Sequence, residues 1–526
     1  MGLYLNPGNR AFTISSNDDI YVDKSDLISF TNNRIDKQHR YICVSRPRRF
    51  GKSMAAGMLL AYYDKNCISE DLFKKLRISN DKSYSVHLNK YDVIYLDIQQ
   101  ILEDSGKLDN FISYLQNEVI SELNEEYPGI IKPGEKSLPK ALAVIFSKTS
   151  NINKGFIIII DEWDCIFREA KNRFDIHKKY LDFLKNLFKG RTYIKLAYMT
   201  GILPIKKYGS HSALNVFDEF SMINPSILSV YTGFTESEVM DLCRKHNMDF
   251  NEMQYWYNGY LFDDEMHIYN PESVVNAILR KRFISYWTRT ETYEALKIYI
   301  DMNFDGLKDN IIKMLAGSRI NISTDTFQND MTTFASKDDV LTLLVHLGYL
   351  AYDYNSKEVF IPNHEIEEEF TIATKSSDWN EVIKSITLSD MLLEATLALK
   401  SGKVAEIIDE IHMATVSILQ YNNENSLACV ISLAYYSAKR DYIIHREFPT
   451  GKGFADLVFI PKKNIEKPVI IVELKWNYSA EGAINQIKDK NYTKTLKDYS
   501  GKIILAGINY NKKTKKHECI LETVYK

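Results

Sequence analysis

What this 526-residue sequence lacks narrows it first. No apolar run approaches the roughly 20 consecutive residues that a membrane span needs, so no membrane segment is expected. The opening residues, MGLYLNPGNR, hold no apolar core of the kind a secretory leader carries, and Asn6 stands where a myristoylation signal needs Ser or Thr. The six cysteines (Cys43, Cys67, Cys165, Cys243, Cys429 and Cys519) are scattered without a CxxC pair. That argues against a disulfide frame and a zinc site, and fits reduced thiols. The expectation from these absences is a cytoplasmic protein. There is also no internal repeat, no low-complexity tract and no strong charge. At a net charge of -3, overall charge points to no polyanionic partner.

What is present is the composition of a globular chain, 45% hydrophobic and 26% charged, with 34 tyrosines that argue against disorder. Charge is unevenly spread. From Arg440 onward there are 17 Lys/Arg against 10 Asp/Glu, so the C-terminal region is basic and the remainder acidic. A basic module on an acidic body suggests nucleic acid, although a solvated lysine-rich surface has the same signature. Three regions separate by pattern. Residues 1–225 alternate short apolar runs with helical stretches, the mark of a mostly parallel sheet covered by helices. Residues 226–390 are mainly helical, and 338–370 read helix, strand, Asn-Ser turn, strand, helix, like a winged helix. Residues 391–526 carry helices such as Val404–Leu419 and then a second strand-rich unit.

The stretch YICVSRPRRFGKSMAAGMLL (41–60) holds half of a phosphate-binding loop, Gly51, Lys52 and Ser53, with Arg46 where the first glycine usually stands. The β-prone YICV before it and the helix-prone KSMAAGMLLAYY after it place the triplet at a strand-to-helix turn. Free N–H groups of a helix start can cradle phosphate there. Lys52 would reach the β/γ-phosphates of ATP and the Ser53 hydroxyl would ligate Mg²⁺. About a hundred residues on, FIIIIDEWD (156–164) is a buried strand ending in Asp161 and Glu162. Asp161 is expected to support the metal and Glu162 to act as base toward the attacking water. YIKLAYMTG (193–201) ends in Thr200, where a γ-phosphate sensor would sit, although a plain strand-end hydroxyl looks the same. Arg46, Arg48 and Arg49 are expected either to touch the nucleotide or to answer an acidic surface such as the Asp161–Asp164 turn.

In order, YVDKSDLI (21–28), SRPRRFGKSM (45–54), IIIIDEWD (157–164) and MTGILPI (199–205) resemble bacterial AAA-ATPase-like proteins that carry a C-terminal PD-(D/E)XK nuclease-like domain. WYNGYLF (256–262), YNPESVVNAI (269–278), LGYL (347–350) and IPNHE (361–365) extend the likeness over nearly the whole chain. An RPRRFGKS loop is the usual form in that family. The resemblance implies an α/β fold: an ASCE-type P-loop core with a parallel sheet, a helical lid with a winged-helix-like segment, and a C-terminal restriction-endonuclease-like domain. WYNGY and IPNHE are expected to serve packing and turns.

The C-terminal region contains FADLVFI, in which Asp456 is expected to open a strand, and PVIIVELKW, in which Glu473 and Lys475 close the next. Residues two apart on a strand share a face, so Glu473 and Lys475 can converge. If the strands pair, Asp456 and Glu473 can share Mg²⁺ while Lys475 positions the attacking water. Taken bare, the same alternation also describes a half-exposed edge strand. The resemblance matches Asp456, Glu473 and Lys475 to the nuclease-like triad, and Glu424 to a further metal ligand on the domain's first helix. It also brings Gln486 and Tyr492 near the site. Two departures stand out: Leu427-Ala428 where the family commonly has an aromatic-His pair, and Phe454-Ala455 where it commonly has Arg-Tyr. The expectation is an ATPase coupled to a Mg²⁺-dependent nuclease that acts on nucleic acid, DNA foremost. A homo-oligomer is compatible with it. The rival is a nucleotide-dependent switch that binds a partner and cuts nothing.

Overall fold

A computed structural model describes residues 2–149, 155–205, 214–262, 266–287, 293–302, 304–377, 379–415, 424–450, 453–462, 465–490, 492, 499 and 501–525. Of the helix read at 404–419, residues 416–419 lie outside the described residues. The chain divides into two compact units, Met1–Thr290 with Asn321–Ile366 and Glu291–Ile320 with Glu367–Lys526. The stretch 226–390 therefore belongs partly to each, an interleaving that composition along the chain does not register.

In the first unit, β1 (Tyr41–Ser45), β2 (Asp92–Asp97), β3 (Phe156–Asp161), β4 (Ile194–Gly201) and β5 (Asp218–Phe220) form one parallel sheet in the order β2-β3-β4-β1-β5. β4 thus lies between the strand that feeds the GKS turn and the strand that ends in Asp161, which is the ASCE arrangement. Every residue of β1 and β3 is buried, because helices cover both sheet faces. That is why these strands read as unbroken apolar runs. Alternate side chains divide between the faces. Ile42, Val44, Ile157, Ile159 and Leu196 pack on one side with residues of the helix Lys52–Tyr63. Cys43, Ile158, Ile160, Ala197 and Met199 pack on the other with the helices Phe111–Glu126, Leu138–Lys148 and Phe174–Phe188. Each such aliphatic side chain, fully buried, stabilises by about 1.5–3 kcal/mol, and the sheet is a rigid base for the loops at its edge.

The helices Glu236–His246, Phe250–Tyr257 and Pro271–Arg280 form the lid around their own apolar cluster. Thr235 and Glu238 close a capping box at the start of the first. The winged-helix-like reading of 338–370 holds: helix Lys337–Leu347, strands Ala351–Asp353 and Glu358–Phe360, helix His364–Ser376.

In the second unit, β6 (Tyr442–Thr450), β7 (Gly453–Pro461), β8 (Val469–Trp476), β9 (Lys502–Asn511) and β10 (Lys516–Tyr525) form a mixed sheet in chain order. All pairs are antiparallel except β8 with β9, which the crossover helix Ala480–Asp489 joins. Ile484 and Ile487 of that helix pack on Val458, Ile471 and Leu505. The helix Glu424–Ala434 precedes the sheet. Asp456 is the fourth residue of β7, not its first as the pattern suggested, because pairing with β6 carries the strand back to Gly453. The helix expected at 404–419 is described as Ser401–Thr415.

Candidate functional sites

Parallel strands deliver their carboxyl ends to one edge, and there β1, β3 and β4 bring the first set of residues together. Gly51 caps the helix Lys52–Tyr63 at φ 83°, a left-handed conformation that favours glycine, and a Cβ added there would meet nothing within 4 Å. The open space above it faces the leftover N–H groups and the positive end of the helix dipole. It is a cavity of about 380 Å³ lined by Arg48, Arg49, Lys52, Ser53, Gln99 and Glu162 among others. Lys52 is buried, donates to the Pro47 carbonyl at 2.9 Å and lies 3.8 Å from a Glu162 oxygen. Burial pushes its pKa down, against the pull of Glu162, Asp161 and Asp164.

The DEWD turn divides its three carboxylates by environment. Asp161 is buried and its Oδ1 accepts from the Thr200 hydroxyl and from the Glu162 N–H at 3.1 Å. The Tyr95 hydroxyl reaches its Oδ2 at 3.4 Å. Glu162 holds a left-handed φ of 52°, a strained position for a residue with a Cβ, and is ion-paired to Arg168. Burial raises its pKa although Lys52 and Arg168 oppose the rise. Asp164 is fully buried and accepts the Ile202 and Leu203 N–H groups at 3.1 and 2.9 Å, with Arg168 Nε at 3.2 Å. Gly201 allows this close approach: a Cβ there would come within 2.5 Å of Trp163 and 2.6 Å of Asp164.

A second cavity, of about 290 Å³, shares Arg49, Gly51 and Met54 with the first. Its walls are mostly apolar, with Ile20, Tyr21, Met58, Phe234 and Val275. Arg49 crosses its mouth to Glu272 of the lid helix Pro271–Arg280 at 2.7 Å. The polar space and the apolar space therefore adjoin along Arg49, Gly51 and Met54.

The other candidate site lies on one face of the C-terminal sheet. Leu457 pairs with Val472, so the next step along the ladder sets Asp456 opposite Glu473, as its strand positions required. Asp456 Oδ2 accepts the Leu474 N–H at 2.7 Å. Glu473 is 2% exposed; its Oε1 takes the Gln486 amide and Lys475 Nζ, the latter at 3.2 Å. Its Oε2 is buried without a hydrogen-bond partner among the described residues. Burial first, and then Asp456, pushes the Glu473 pKa up to about 7 against the pull of Lys475. Burial also raises that of Asp456, with the Leu474 N–H opposing. Lys475 lies 3.7 Å from Glu424, and Glu473, Glu424 and Asp456 together outweigh burial and hold its charge. Gln486 continues to the Tyr492 hydroxyl at 3.2 Å. Among the described residues, no three His, Cys, Asp or Glu side chains form a ready metal cage. What does fit a divalent cation is the unpartnered Glu473 oxygen beside a second carboxylate, since a buried acceptor left unpaired is costly and hard cations take oxygen ligands.

Comparison with known proteins agrees with both halves. Residues 9–210 match the family described as predicted AAA-ATPase, and residues 422–519 match the PD-(D/E)XK nuclease superfamily. The chain thus carries an AAA-ATPase-like region at 9–210 and a PD-(D/E)XK nuclease-superfamily domain at 422–519. It is 26% identical over 279 residues to an uncharacterized protein in the vnfD 5′ region of Azotobacter chroococcum mcd 1, and this match covers 52% of the chain. The chain spans about half, 51%, of that relative's length. Among solved structures it is similar to the Aeropyrum pernix ORC2 protein in ADPNP-ADP complexes, at 11% identity and a TM-score of 0.31 over 70% of this chain and 98% of that one. It is likewise similar to C. elegans PCH-2, at 12% identity and a TM-score of 0.23 over 70% of this chain and 73% of that one. No helix among the described residues is long and apolar enough to cross a membrane.

In the AAA-ATPase-like region the structure gathers Gly51, Lys52, Ser53, Asp161 and Glu162 at one sheet edge, and in the nuclease-superfamily domain it gathers Asp456, Glu473 and Lys475. Three expected ligands fall elsewhere. Arg46 is fully buried, donates to Thr232 and to the Ser45 and Phe220 carbonyls, and stacks 4.9 Å over Phe262. It fastens the loop from behind and does not line the phosphate cavity. Thr200 is buried against Asp161, so its hydroxyl acts on that carboxylate and not on the open space. Glu424 is half-exposed and faces Lys475 without joining Asp456 and Glu473 in one cluster. Of the other loop arginines, Arg48 and Arg49 line the phosphate-sized cavity and Arg49 pairs with Glu272, while Arg168 pairs with Glu162 and Asp164 of the DEWD turn. Arg168, Gln99 and the lid residue Glu272 were missed. For Arg168 the signal existed, since Asp164 lies four residues before it on a helix. As expected of IPNHE, Glu365 is a packing residue that accepts the Tyr286 and Trp287 N–H groups at 2.6 and 3.0 Å.

Proposed function

We propose that the first unit binds and hydrolyses ATP with Mg²⁺ and that the C-terminal domain is a Mg²⁺-dependent nuclease acting on nucleic acid, with DNA as the expected substrate. Lys52 and the N–H groups of the GKS turn hold the phosphates, Ser53 and Asp161 hold the metal, and Glu162 takes the proton of the attacking water. The apolar cavity beyond Arg49 suits a flat base, and a polyanion beside Lys52 favours the charge that burial now disfavours. In the second site Asp456 and Glu473 hold metal and Lys475 positions water. When bound, the ion supplies charge neutralisation at phosphate oxygens and a coordinated water of lowered pKa. Backbone contact from the basic C-terminal surplus makes binding salt-dependent and largely sequence-independent. The observation that carries the nuclease reading is the buried, unpartnered oxygen of Glu473 beside Asp456.

The test is cleavage of a labelled plasmid and an oligonucleotide set with Mg²⁺ or Mn²⁺, with and without ATP, beside Glu473→Ala and Lys52→Ala. Metal-dependent cutting lost in the first variant and altered in the second is the expected result. ATP hydrolysis with no cutting under any condition would leave a nucleotide-dependent switch that grips its partner. Equal, ATP-independent cutting by wild type and Lys52→Ala would separate the two activities.

A further inference from the structure

The carboxylate of Glu272 stands where the two cavities of the first unit adjoin. It lines the apolar cavity and takes Arg49 Nη1 at 2.7 Å, and Arg49 belongs to the walls of both cavities. Its own helix holds it there. Glu272 is the second residue of the helix Pro271–Arg280, and its N–H donates to the side chain of the capping Asn270 at 2.9 Å. One turn on, the Asn276 amide donates to Glu272 Oε1 at 2.8 Å, and Asn276 Oδ1 in turn accepts from Arg280 Nε at 3.3 Å. A row of i, i+4 contacts thus fixes the carboxylate. Arg49 and Asn276 both use Oε1, which leaves Oε2 an acceptor without a hydrogen-bond partner among the described residues. Glu272 and Arg49 are each partly exposed, so their ion pair adds little to the stability of the fold.

A nucleoside triphosphate has a flat base, a polyanion and a sugar that joins them. With the phosphates over the Gly51–Ser53 turn and the base between the apolar walls, the sugar has to cross the wall that the cavities share, at Arg49, Gly51 and Met54. A carboxylate at the far end of the apolar cavity would meet the base. Glu272 instead meets Arg49, on the shared wall, and therefore the sugar. A ribose brings two adjacent hydroxyl donors, and an ionised carboxylate only accepts, so the two are matched. Hydrogen bonds to a charged acceptor are also the stronger kind. We infer that Glu272 reads the ribose, accepting from its 2′- or 3′-hydroxyl through Oε2, and so sets a ribonucleotide above a deoxyribonucleotide at this site. This rests on the ATP-binding reading of the first unit and adds the class of nucleotide.

The experiment is calorimetric titration of the full chain with ATP, 2′-deoxy-ATP and 3′-deoxy-ATP, with Ca²⁺ in place of Mg²⁺ to hold hydrolysis back. Wild type, Glu272→Ala and, as a control, Asp241→Ala are compared. Asp241 is an exposed carboxylate of the lid helix Glu236–His246 and lines neither cavity. Wild type should bind ATP about tenfold more tightly than at least one of the deoxynucleotides. Glu272→Ala should bring the three to within about twofold of one another, and Asp241→Ala should keep the wild-type ratio. Loss of the Arg49 pair shifts all three nucleotides alike, so the ratio isolates the sugar contact from it. Which deoxynucleotide is weakened tells which hydroxyl Oε2 takes. Equal affinities in wild type, or a ratio that Glu272→Ala leaves unchanged, would overturn the ribose contact while leaving a nucleotide site standing. Absence of binding to all three by wild type would overturn both.

Discussion

Replacing Asp164 by asparagine keeps the shape of a fully buried side chain and removes its charge. Its two oxygens accept the Ile202 and Leu203 N–H groups at 3.1 and 2.9 Å and face Arg168 Nε at 3.2 Å. Asparagine offers one acceptor and one donor, so in either orientation an NH₂ group meets a backbone N–H. One buried donor is left unsatisfied, at about 1–3 kcal/mol. Arg168 also loses one of its two anionic partners in a site where water does not compensate, and breaking such a buried pair costs about 3–5 kcal/mol in comparable cases. Glu162 remains beside Arg168, so the lower end of the combined range is expected, about 4 kcal/mol, or a fall of roughly 5–10 °C in melting temperature. Differential scanning calorimetry of wild type, Asp164→Asn and Glu162→Gln measures it. Glu162→Gln, at a half-buried position next to open space, should melt within a few degrees of wild type yet lose hydrolysis. An Asp164→Asn protein as stable as wild type would refute the assignment of this carboxylate as the strut that holds the turn.

Two further outcomes follow from the same geometry. Arg168 opposes the burial that raises the Glu162 pKa, so in Arg168→Ala that pKa climbs further and the acid limb of the ATPase pH profile moves to higher pH. Arg168→Lys should leave the limb near its wild-type place, and nucleotide affinity should hold in both; an unmoved limb in Arg168→Ala would show that the ion pair does not tune the base. In the nuclease-like site, a Glu473 pKa of about 7 leaves roughly one tenth of the carboxylate ionised at pH 6, so about tenfold more Mg²⁺ should be needed there than well above pH 7 for equal cutting. Because this folded-state pKa lies above the ordinary glutamate value of 4.5, the metal-free protein loses stability as pH rises from 4.5 to 7. Glu473→Gln should therefore gain stability over wild type at pH 8 and none at pH 4, and a gain independent of pH would count against the buried carboxylate.

Much of this architecture was legible from local pattern because local chemistry demands it. A strand-to-helix turn that leaves backbone N–H groups open reads as GKS after a strand, a two-face-buried strand reads as FIIIID, and a carboxylate and an ammonium that share one strand face read as E-x-K. Those constraints are written in adjacent residues, and the spacing of apolar runs placed them on a parallel sheet and in a second strand-rich unit, whose mixed pairing only the structure showed. What adjacent residues do not encode is which partner a charge finds. Arg46 and Arg49 lie three positions apart in one basic loop, yet one is buried under Thr232 and Phe262 while the other reaches the lid at Glu272. Of the DEWD carboxylates, Asp161, Glu162 and Asp164 look alike in sequence and differ only in what burial and β4 bring to each. The sequence by itself determined the kinds of site and their order along the chain. Only the tertiary structure decided that Thr200 serves Asp161, that Arg49 reaches Glu272 and that Glu473 keeps one bare oxygen among the described residues, because burial and pairing depend on segments tens to hundreds of residues apart meeting in space.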